Sequence, residues 1–549
     1  MMDGVRRLLP AATPALLVIL AAAPATRWIL ARQAAPGNDS LPITRAESLP
    51  LNQMADRKAL LTLANRQFEA AAAHSSDYRI QLGAAIATWQ PSYALPRLRR
   101  LELAFPDRAS APALALRFAA AHDIVINRLE EGILDPTGMV YRAGSPPARP
   151  DSAQLSAFER DAAAGRRLQP DNAWFPLMAA AGWCAGRADD RALAALSDAA
   201  RCSRFSAATA DAVTAVWAAA ALTYGGLTGT DQMALLTNIH MWQYVRIRDL
   251  VRWATARAIE LEQKGDFAGG LRIREEAAAC ASLMIVGART PVGRLVGSAI
   301  FEIAMARPGG APAPAVGSGE AQPAARLAAF MAYLSRHGWS NRAAPWKTEM
   351  VAVERMRAIA TVASGSAGPA EETVPVNRRL AVIWLAARIV LYDWLWLFAM
   401  WAAAKLAARW RTEAVGGLVL VAALAALTAF CGWVATAAST TTSAALLVVL
   451  QGSVPVAVLV GSLASATRAN RPAVEQLSGV ALAASTIAGL AYVVLLFVLL
   501  PINFRERGMV HNMLWSEPAV AARSAGIPAP VPADWRPLLT APSRQTGIG

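Results

Sequence analysis

The sequence is poor in the residue types that most often carry chemistry. It contains four cysteines and five histidines in 549 residues. No CxxC, HExxH or HxxxH spacing occurs among them, and no P-loop, GxGxxG or GxSxG motif is present. We therefore expect no catalytic residue, no metal site and no cofactor-binding residue, and hence no cofactor.

Runs of like charge are also missing. The net charge is +14 and the isoelectric point about 10.3, yet the basic residues are scattered singly or in pairs such as Arg99–Arg100 and Arg166–Arg167. No aromatic and basic residues alternate as in a stacking platform for nucleic acid. We therefore attribute the positive charge to a codon bias that favours Ala and Arg, or to attraction to anionic membrane lipid, and expect no nucleic-acid partner.

Long hydrophobic runs are absent from the first 380 residues, apart from one short segment at 8–25 that comes after Arg6 and Arg7. Four runs near 25 residues are found beyond them, at 384–408, 415–438, 443–467 and 477–501. At about 1.5 Å per residue, each is long enough to cross a bilayer core of about 30 Å. The segment at 8–25 resembles a secretory signal peptide or an uncleaved signal anchor, and in either case the central part of the chain is expected to be exported.

The short loops between the four runs predict the orientation. Five basic residues lie in the first and third loops, whereas the second loop, 439–443, has none. Basic loops remain in the cytoplasm, so the large central block and the C-terminal tail are expected outside it, although four arginines at 378, 379, 505 and 507 oppose this orientation. We predict a multi-pass protein of the bacterial inner membrane with a periplasmic domain.

The central block is predicted to be helical. Apolar residues recur at helical spacing, and the alternation typical of strands is missing. From Tyr244 to Leu261, one face is apolar, while four arginines at 246, 248, 252 and 257 lie mostly away from it. We interpret these arginines as a solvated face. Likewise, the adjacent acid pairs at 130–131, 189–190 and 275–276 are interpreted as ordinary solvated positions.

Residues 166–205 suggest one helix hairpin. Leu168-Gln169-Pro170-Asp171-Asn172 suits a turn, since Pro ends one helix and Asp or Asn caps the next. A first helix is predicted over Ala173–Ala185, a turn at 186–189, and a second helix carrying Ala192, Leu193, Leu196 and Ala199. This segment resembles a tetratricopeptide-type repeat, although Pro176 fits only in the first turn of its helix.

Two further segments show a weaker resemblance to the same repeat. Residues 101–107 resemble the turn between repeats, and residues 260–267 resemble the turn within a repeat. The resemblance implies an array whose concave surface binds peptides or partner proteins. Irregular helix hairpins remain the alternative. Cys184 and Cys202 would lie at opposite ends of the hairpin, roughly 20 Å apart, and are not expected to form a disulfide.

The membrane runs contain few polar residues. Arg388 and Asp393 lie near the outer end of the first run; we interpret them as interfacial, with tryptophans 384, 394, 396 and 401 forming a nearby aromatic belt. A substrate or ion role is the alternative. Gln451–Pro455 predicts a kink, and Ala481, Ser485 and Gly489 predict close helix packing.

The predicted fold class is all-α, an exported helical-repeat domain with a four-helix membrane bundle. The leading hypothesis is a scaffold that binds envelope proteins; the alternative is a transporter or membrane-enzyme subunit with a regulatory ectodomain. The boundaries are a signal or anchor at 1–35, a helical domain at 36–306, a Pro/Gly/Ala linker at 307–323, a helical pair (near 324–336 and 345–363) and membrane-proximal linker at 324–376, the membrane helices at 377–504 and a Pro-rich tail at 505–549.

Overall fold

A computed structural model gives the fold of about half of the chain. It describes residues 43, 53–126, 128, 149–224, 227, 231–232, 235, 241–310, 323–365, 387, 390–402, 404–405 and 477–496. These residues are helical and contain no β-strand, apart from one isolated bridge between Asn172 and Arg204. The all-α prediction is therefore confirmed for this part of the chain.

The chain divides into two compact units, the larger formed mainly by residues 58–223 and 232–369 and the smaller mainly by 370–507. Thirteen of the described α-helices lie in or begin just before the larger unit. They are α1 Met54–Ala72, α2 Tyr78–Ile86, α3 Pro91–Ala104, α4 Ser110–His122, α5 Ser152–Leu168, α6 Trp174–Ala185, α7 Asp189–Ala200, α8 Thr209–Tyr224, α9 Trp242–Gln263, α10 Phe267–Gly287, α11 Pro291–Ala304, α12 Pro323–Arg336 and α13 Ser340–Gly365.

The hairpin predicted over 166–205 is present as α6 and α7. α6 begins at Trp174, which places Pro176 in its first turn, where a missing N–H costs nothing. In α7, Ala192, Leu196 and Ala199 are buried, and Leu193 is half-buried. Asn172 at the preceding turn is itself buried, because its side chain bonds the backbone of Trp174 and Ser206.

The same three-residue turn joins three helix hairpins: α6 to α7, α9 to α10, and α12 to α13. Its middle residue has a positive φ in each case, at Arg187 (63°), Gly265 (91°) and Gly338 (75°). The N–H of the third residue donates to the carbonyl five positions earlier, at 2.8, 2.9 and 2.9 Å. This is the helix C-terminal arrangement that favours glycine. Three hairpins of one local geometry therefore recur along the larger unit.

A second turn also recurs, at the two prolines singled out in the sequence. Phe105 (φ −133°, ψ 68°) and Gln169 (φ −139°, ψ 72°) end α3 and α5 in the same conformation, and each precedes a proline. Each also donates its backbone N–H to the carbonyl four residues earlier. The sequence echo at 101–107 thus corresponds to a shared backbone geometry.

The helices pack only partly in chain order. Helices α3 to α7 each contact the next, and α7 then contacts α10, which packs on α9 and α11. Other contacts also skip helices, since α11 packs on α13, and α9 lies against both α4 and α6 as well as α10 and α11. Because α4 and α6 are alternate helices of the stack, α9 covers the face that they share.

A buried ion pair fixes the end of α11 to the α9–α10 hairpin. Arg274 and Glu262 have no exposed side-chain surface, and Arg274 Nε lies 2.7 Å from Glu262 Oε1. Arg274 Nη1 also donates to the carbonyls of Ala304 (2.8 Å) and Ala306 (2.7 Å). The arginine thereby satisfies carbonyl groups that a helix C-terminus leaves without partners.

The carboxylate oxygens of Glu262 also accept hydrogen bonds from two further segments. Oε2 accepts the N–H of Gly309 at 2.7 Å, and Oε1 accepts the hydroxyl of Tyr333 in α12 at 3.2 Å. Gly309 has φ 68° and belongs to a short 3₁₀ turn, Pro308–Gly310. Glu262 therefore connects α9 to the first residues of the predicted 307–323 linker and to the helix beyond it.

Two details of the predictions need correction or comment. The helix expected near 345–363 begins five residues earlier, at Ser340, with Pro345 inside it.

Cys184 and Cys202 are buried free thiols. Cys202 Sγ lies 3.8 Å from the carbonyl of Pro170, which precedes α6, whereas Cys184 is near the end of α6, so they occupy opposite ends of the hairpin as expected.

The described part of the smaller unit contains two apolar helices, α14 Val390–Ala402 and α15 Leu477–Leu496. Only α15 is long and apolar enough to cross a membrane among the described helices. The runs predicted at 415–438 and 443–467, and the signal-like segment at 1–35, lie outside the described residues.

Candidate functional site

Two of the four α9 arginines do not belong to the solvated face that the sequence suggested. Arg252 is only 3% exposed and Arg246 12% exposed, because α9 is enclosed by four other helices. Asp249 lies 3.9 Å from Arg246 and 3.7 Å from Arg252. Arg246 Nε donates to the carbonyl of Ala120 at the end of α4, at 3.0 Å. The charged side chains of α9 thus form part of the interior of the larger unit.

A chain of four charges extends from this interior to the surface. Arg128 forms a bidentate pair with Asp189, with Nη1–Oδ1 at 2.7 Å and Nη2–Oδ2 at 3.2 Å. Asp189 also accepts a hydrogen bond from Arg257, which in turn contacts Glu260 at 2.7 Å. We call Arg128, Asp189, Arg257 and Glu260 the charge chain. It joins the α6–α7 turn to α9 and ends at Glu260, which is 35% exposed.

The electrostatics of the charge chain favour structural or recognition roles over catalysis. Partial burial acts to raise the pKa of Asp189, but hydrogen bonds from Arg128 and Arg257 outweigh it and hold that pKa below its usual value. Cys184, whose carbonyl accepts a hydrogen bond from Arg128 at 3.2 Å, is buried. Burial raises the pKa of its thiol, so it lacks the thiolate character of a nucleophile.

The paired acids also have roles that the sequence did not indicate. Asp189 belongs to the charge chain, and Glu275 binds Arg342 of α13 at 2.9 and 3.0 Å. Burial raises the pKa of both Glu275 and Glu276. The interpretation as solvated positions was therefore wrong for Asp189 and Glu275, since tertiary partners from distant segments reach them.

No group of three or more His, Cys, Asp or Glu side chains within the described ranges could hold a metal ion. His337 instead packs among aromatic rings, 4.1 Å from the ring centre of Phe267 and 4.9 Å from that of Tyr333. His122 contacts Asp123 at 3.0 Å. These histidines have packing and local hydrogen-bonding partners.

In the smaller unit, α14 and α15 pack closely through a stripe of small residues. Ala481, Ser485 and Gly489 are buried, which confirms the predicted packing face. A Cβ built on Gly489 would lie 2.7 Å from Cε2 of Trp394, and the ring centres of Trp394 and Tyr492 are 5.9 Å apart. Glycine is therefore required for the indole to approach the helix.

Asp393, beside Trp394, is more buried than an interfacial anchor should be. It is 6% exposed. Its Oδ1 has no hydrogen-bond partner in the described structure, and the same holds for Ser485 Oγ and Trp394 Nε1. The interfacial interpretation does not suit a carboxyl group so enclosed. The other sequence candidates, Arg388, Trp384 and Gln451–Pro455, lie outside the described residues.

Comparison with protein-family models, curated proteins and solved structures gave no match.

Proposed function

We propose that this chain is a membrane-attached helical-repeat protein that binds other proteins of the bacterial cell envelope. The observation that carries the proposal is the recurrence of one hairpin turn at Arg187, Gly265 and Gly338 in three packed helix hairpins. Repeated helix hairpins build extended surfaces suited to protein partners. The tetratricopeptide resemblance around residues 166–205 agrees with this assignment.

Membrane attachment is supported by the outward face of α15. Its buried residues follow the stripe of Ala481, Ser485 and Gly489, and the opposite face exposes Ile487 (68%), Leu490 and Val494. An apolar face of this kind is costly in water and favourable in lipid. We extend the proposal of membrane attachment to a four-helix bundle with the larger unit in the periplasm. The basic short loops and the signal-like segment support that orientation.

We propose that the partner surface lies on the outside of the larger unit. α9 covers the face shared by α4 and α6, where an open array would receive a peptide. Large apolar side chains are exposed elsewhere in the larger unit, most of all Leu103, which is 83% exposed near the end of α3. Val351 in α13 is 48% exposed. These positions are suited to contact with a partner.

A photo-crosslinking amino acid at Leu103 or Val351, incorporated in living cells, tests this placement. We expect a discrete protein adduct at one of these positions, with the partner identified by mass spectrometry and confirmed by the reverse crosslink. The same probe at Leu490 serves as a control, which should yield lipid adducts. Adducts with lipid alone at every position would refute the scaffold.

Orientation has a separate test. Gly317→Cys places a thiol in the predicted linker, against a background in which Cys184, Cys202 and Cys280 are buried. A thiol reagent that cannot cross the inner membrane should label it in cells whose outer membrane has been permeabilised. Labelling only after the inner membrane is broken would reverse the proposed topology.

One observation favours the alternative, a transporter or membrane-enzyme subunit with the repeats as a regulatory ectodomain. Polar groups enclosed within the apolar helices, rather than a dry interface of small residues, are typical of transport pathways. Asp393 and Ser485 are such groups.

A further inference from the structure

Asp393 is an enclosed carboxyl group without a compensating partner. It is 6% exposed, and the described structure places neither a hydrogen-bond donor on Oδ1 nor a basic group within ion-pair distance. The buried carboxylate of Glu262 differs, since it has Arg274 and two further donors.

The helix that packs against α14 offers Asp393 no charge. α15 contains no acidic or basic residue, and its buried residues with a polar group are Ser478, Ser485 and Tyr492. Beyond the C-terminal end of α14, Lys405 is exposed and lies twelve positions after Asp393, or about 18 Å along a helix. Among the described residues no cation lies near enough to stabilise an ionised carboxylate at this enclosed position, and burying an unpaired charge is costly, so the neutral, protonated acid is favoured.

We propose that Asp393 is an intramembrane proton-binding carboxyl group, with the proton as its ligand. The proposal rests on the membrane location of the smaller unit. A protonated carboxyl can release its proton when water or a cation reaches it, which is the property that proton-coupled transport requires. Asp393 then supplies the chemistry for the alternative function.

Two carbodiimides of opposite solubility test this assignment in membranes that contain the full chain. Both react with protonated carboxyl groups, and the apolar reagent dicyclohexylcarbodiimide partitions into lipid whereas a water-soluble carbodiimide does not. We expect the apolar reagent to modify Asp393, as a mass increase on its peptide, and the water-soluble reagent to leave it intact. Asp107, which is 72% exposed in the larger unit, should show the reverse preference.

Each outcome decides the proposal. Modification of Asp393 by both reagents would show that it faces water, and modification by neither would show an ionised or paired carboxylate; either result overturns the proposal. Asp393→Asn imitates the protonated acid, so it should accumulate in membranes at the wild-type level. A several-fold loss of Asp393→Asn would mean that the charge is needed, which also overturns it.

A separate experiment tests whether the chain is attached to the membrane. Alkaline carbonate releases peripheral proteins from membranes, so release of the wild-type chain would refute the proposed attachment, whatever the labelling shows. Retention in the membrane together with labelling by the apolar reagent alone supports both proposals.

Discussion

Replacing Glu262 with alanine should destabilise the larger unit more than any other loss of one acidic side chain in it. Glu262 and Arg274 are both fully buried, and Glu262 accepts four hydrogen bonds, two from Arg274, one from Gly309 and one from Tyr333. Truncation leaves the guanidinium of Arg274 buried without its counter-charge. It also leaves the N–H of Gly309 without its acceptor.

Breaking a buried pair in this way costs about 3–5 kcal/mol, of which the stranded charge is the larger part. In a unit of this size, each kcal/mol lowers the melting temperature by about 2–4 °C, so a fall on the order of 10 °C is expected. Replacing both residues should not restore stability. The carbonyls of Ala304 and Ala306 would still lose their donor, at about 1–3 kcal/mol for each unsatisfied group.

Thermal unfolding of the full chain in detergent, followed by circular dichroism, measures this. Glu260→Ala is the matched control, because Glu260 lies two positions earlier in α9 and pairs with Arg257 while 35% exposed. Such a half-exposed pair contributes about 0–1 kcal/mol. Equal falls in melting temperature for Glu260→Ala and Glu262→Ala would refute the reasoning.

Three further predictions concern single residues. Burial raises the pKa of Asp161 to about 6, so the folded chain binds this proton more tightly than the unfolded chain does. The folded state therefore loses about 3 kcal/mol of stability as the pH rises from about 4 to 6. Asp161→Asn should remove that loss, which denaturant titrations at a series of pH values measure. Gly265→Ala should cost about 1 kcal/mol through its positive φ alone, since a Cβ there meets nothing within 4 Å; the melting temperature measures it. Gly489→Ala should displace Trp394 and shift its fluorescence, because the new Cβ would overlap the indole ring. Gly479→Ala in the same helix should cause no shift, because a Cβ at that position meets nothing within 4 Å.

The outcomes that would contradict these predictions are specific. A pH dependence of stability unchanged by Asp161→Asn would mean that its ion pairs with Arg99 and Arg160 outweigh burial. No change in melting temperature for Gly265→Ala would mean that the turn relaxes its φ. Equal fluorescence shifts for the two α15 variants would mean that the small stripe is not a contact face.

The hairpin of α6 and α7 was predictable because its signals are local. Pro170 follows the last residues of α5, Asn172 accepts the N–H of Trp174 at the start of α6, and Ala192, Leu196 and Ala199 recur at the spacing of one helix face. The small stripe of α15 was predictable for the same reason. Turn chemistry and periodicity need no knowledge of distant segments.

The position of α9 could not be predicted from its own residues. A helix with four arginines is expected to be partly solvated, and only the structure shows that Asp189, from another hairpin, pairs with Arg257 of α9 as well as with Arg128. The same is true of Arg274, whose partners at 304 and 306 lie some thirty residues away. Pairing of buried charges depends on tertiary contacts that no local pattern encodes.

The α9 contacts change how the larger unit must assemble. In a linear array each repeat contacts only its neighbours, so the first repeats can fold while later ones are still being synthesised. Here the carbonyl of Ala120 receives its bond from Arg246, 126 residues later in the chain. The face of α4 and α6 therefore stays uncovered until α9 has left the ribosome, and the unit should melt as one cooperative body rather than fray repeat by repeat.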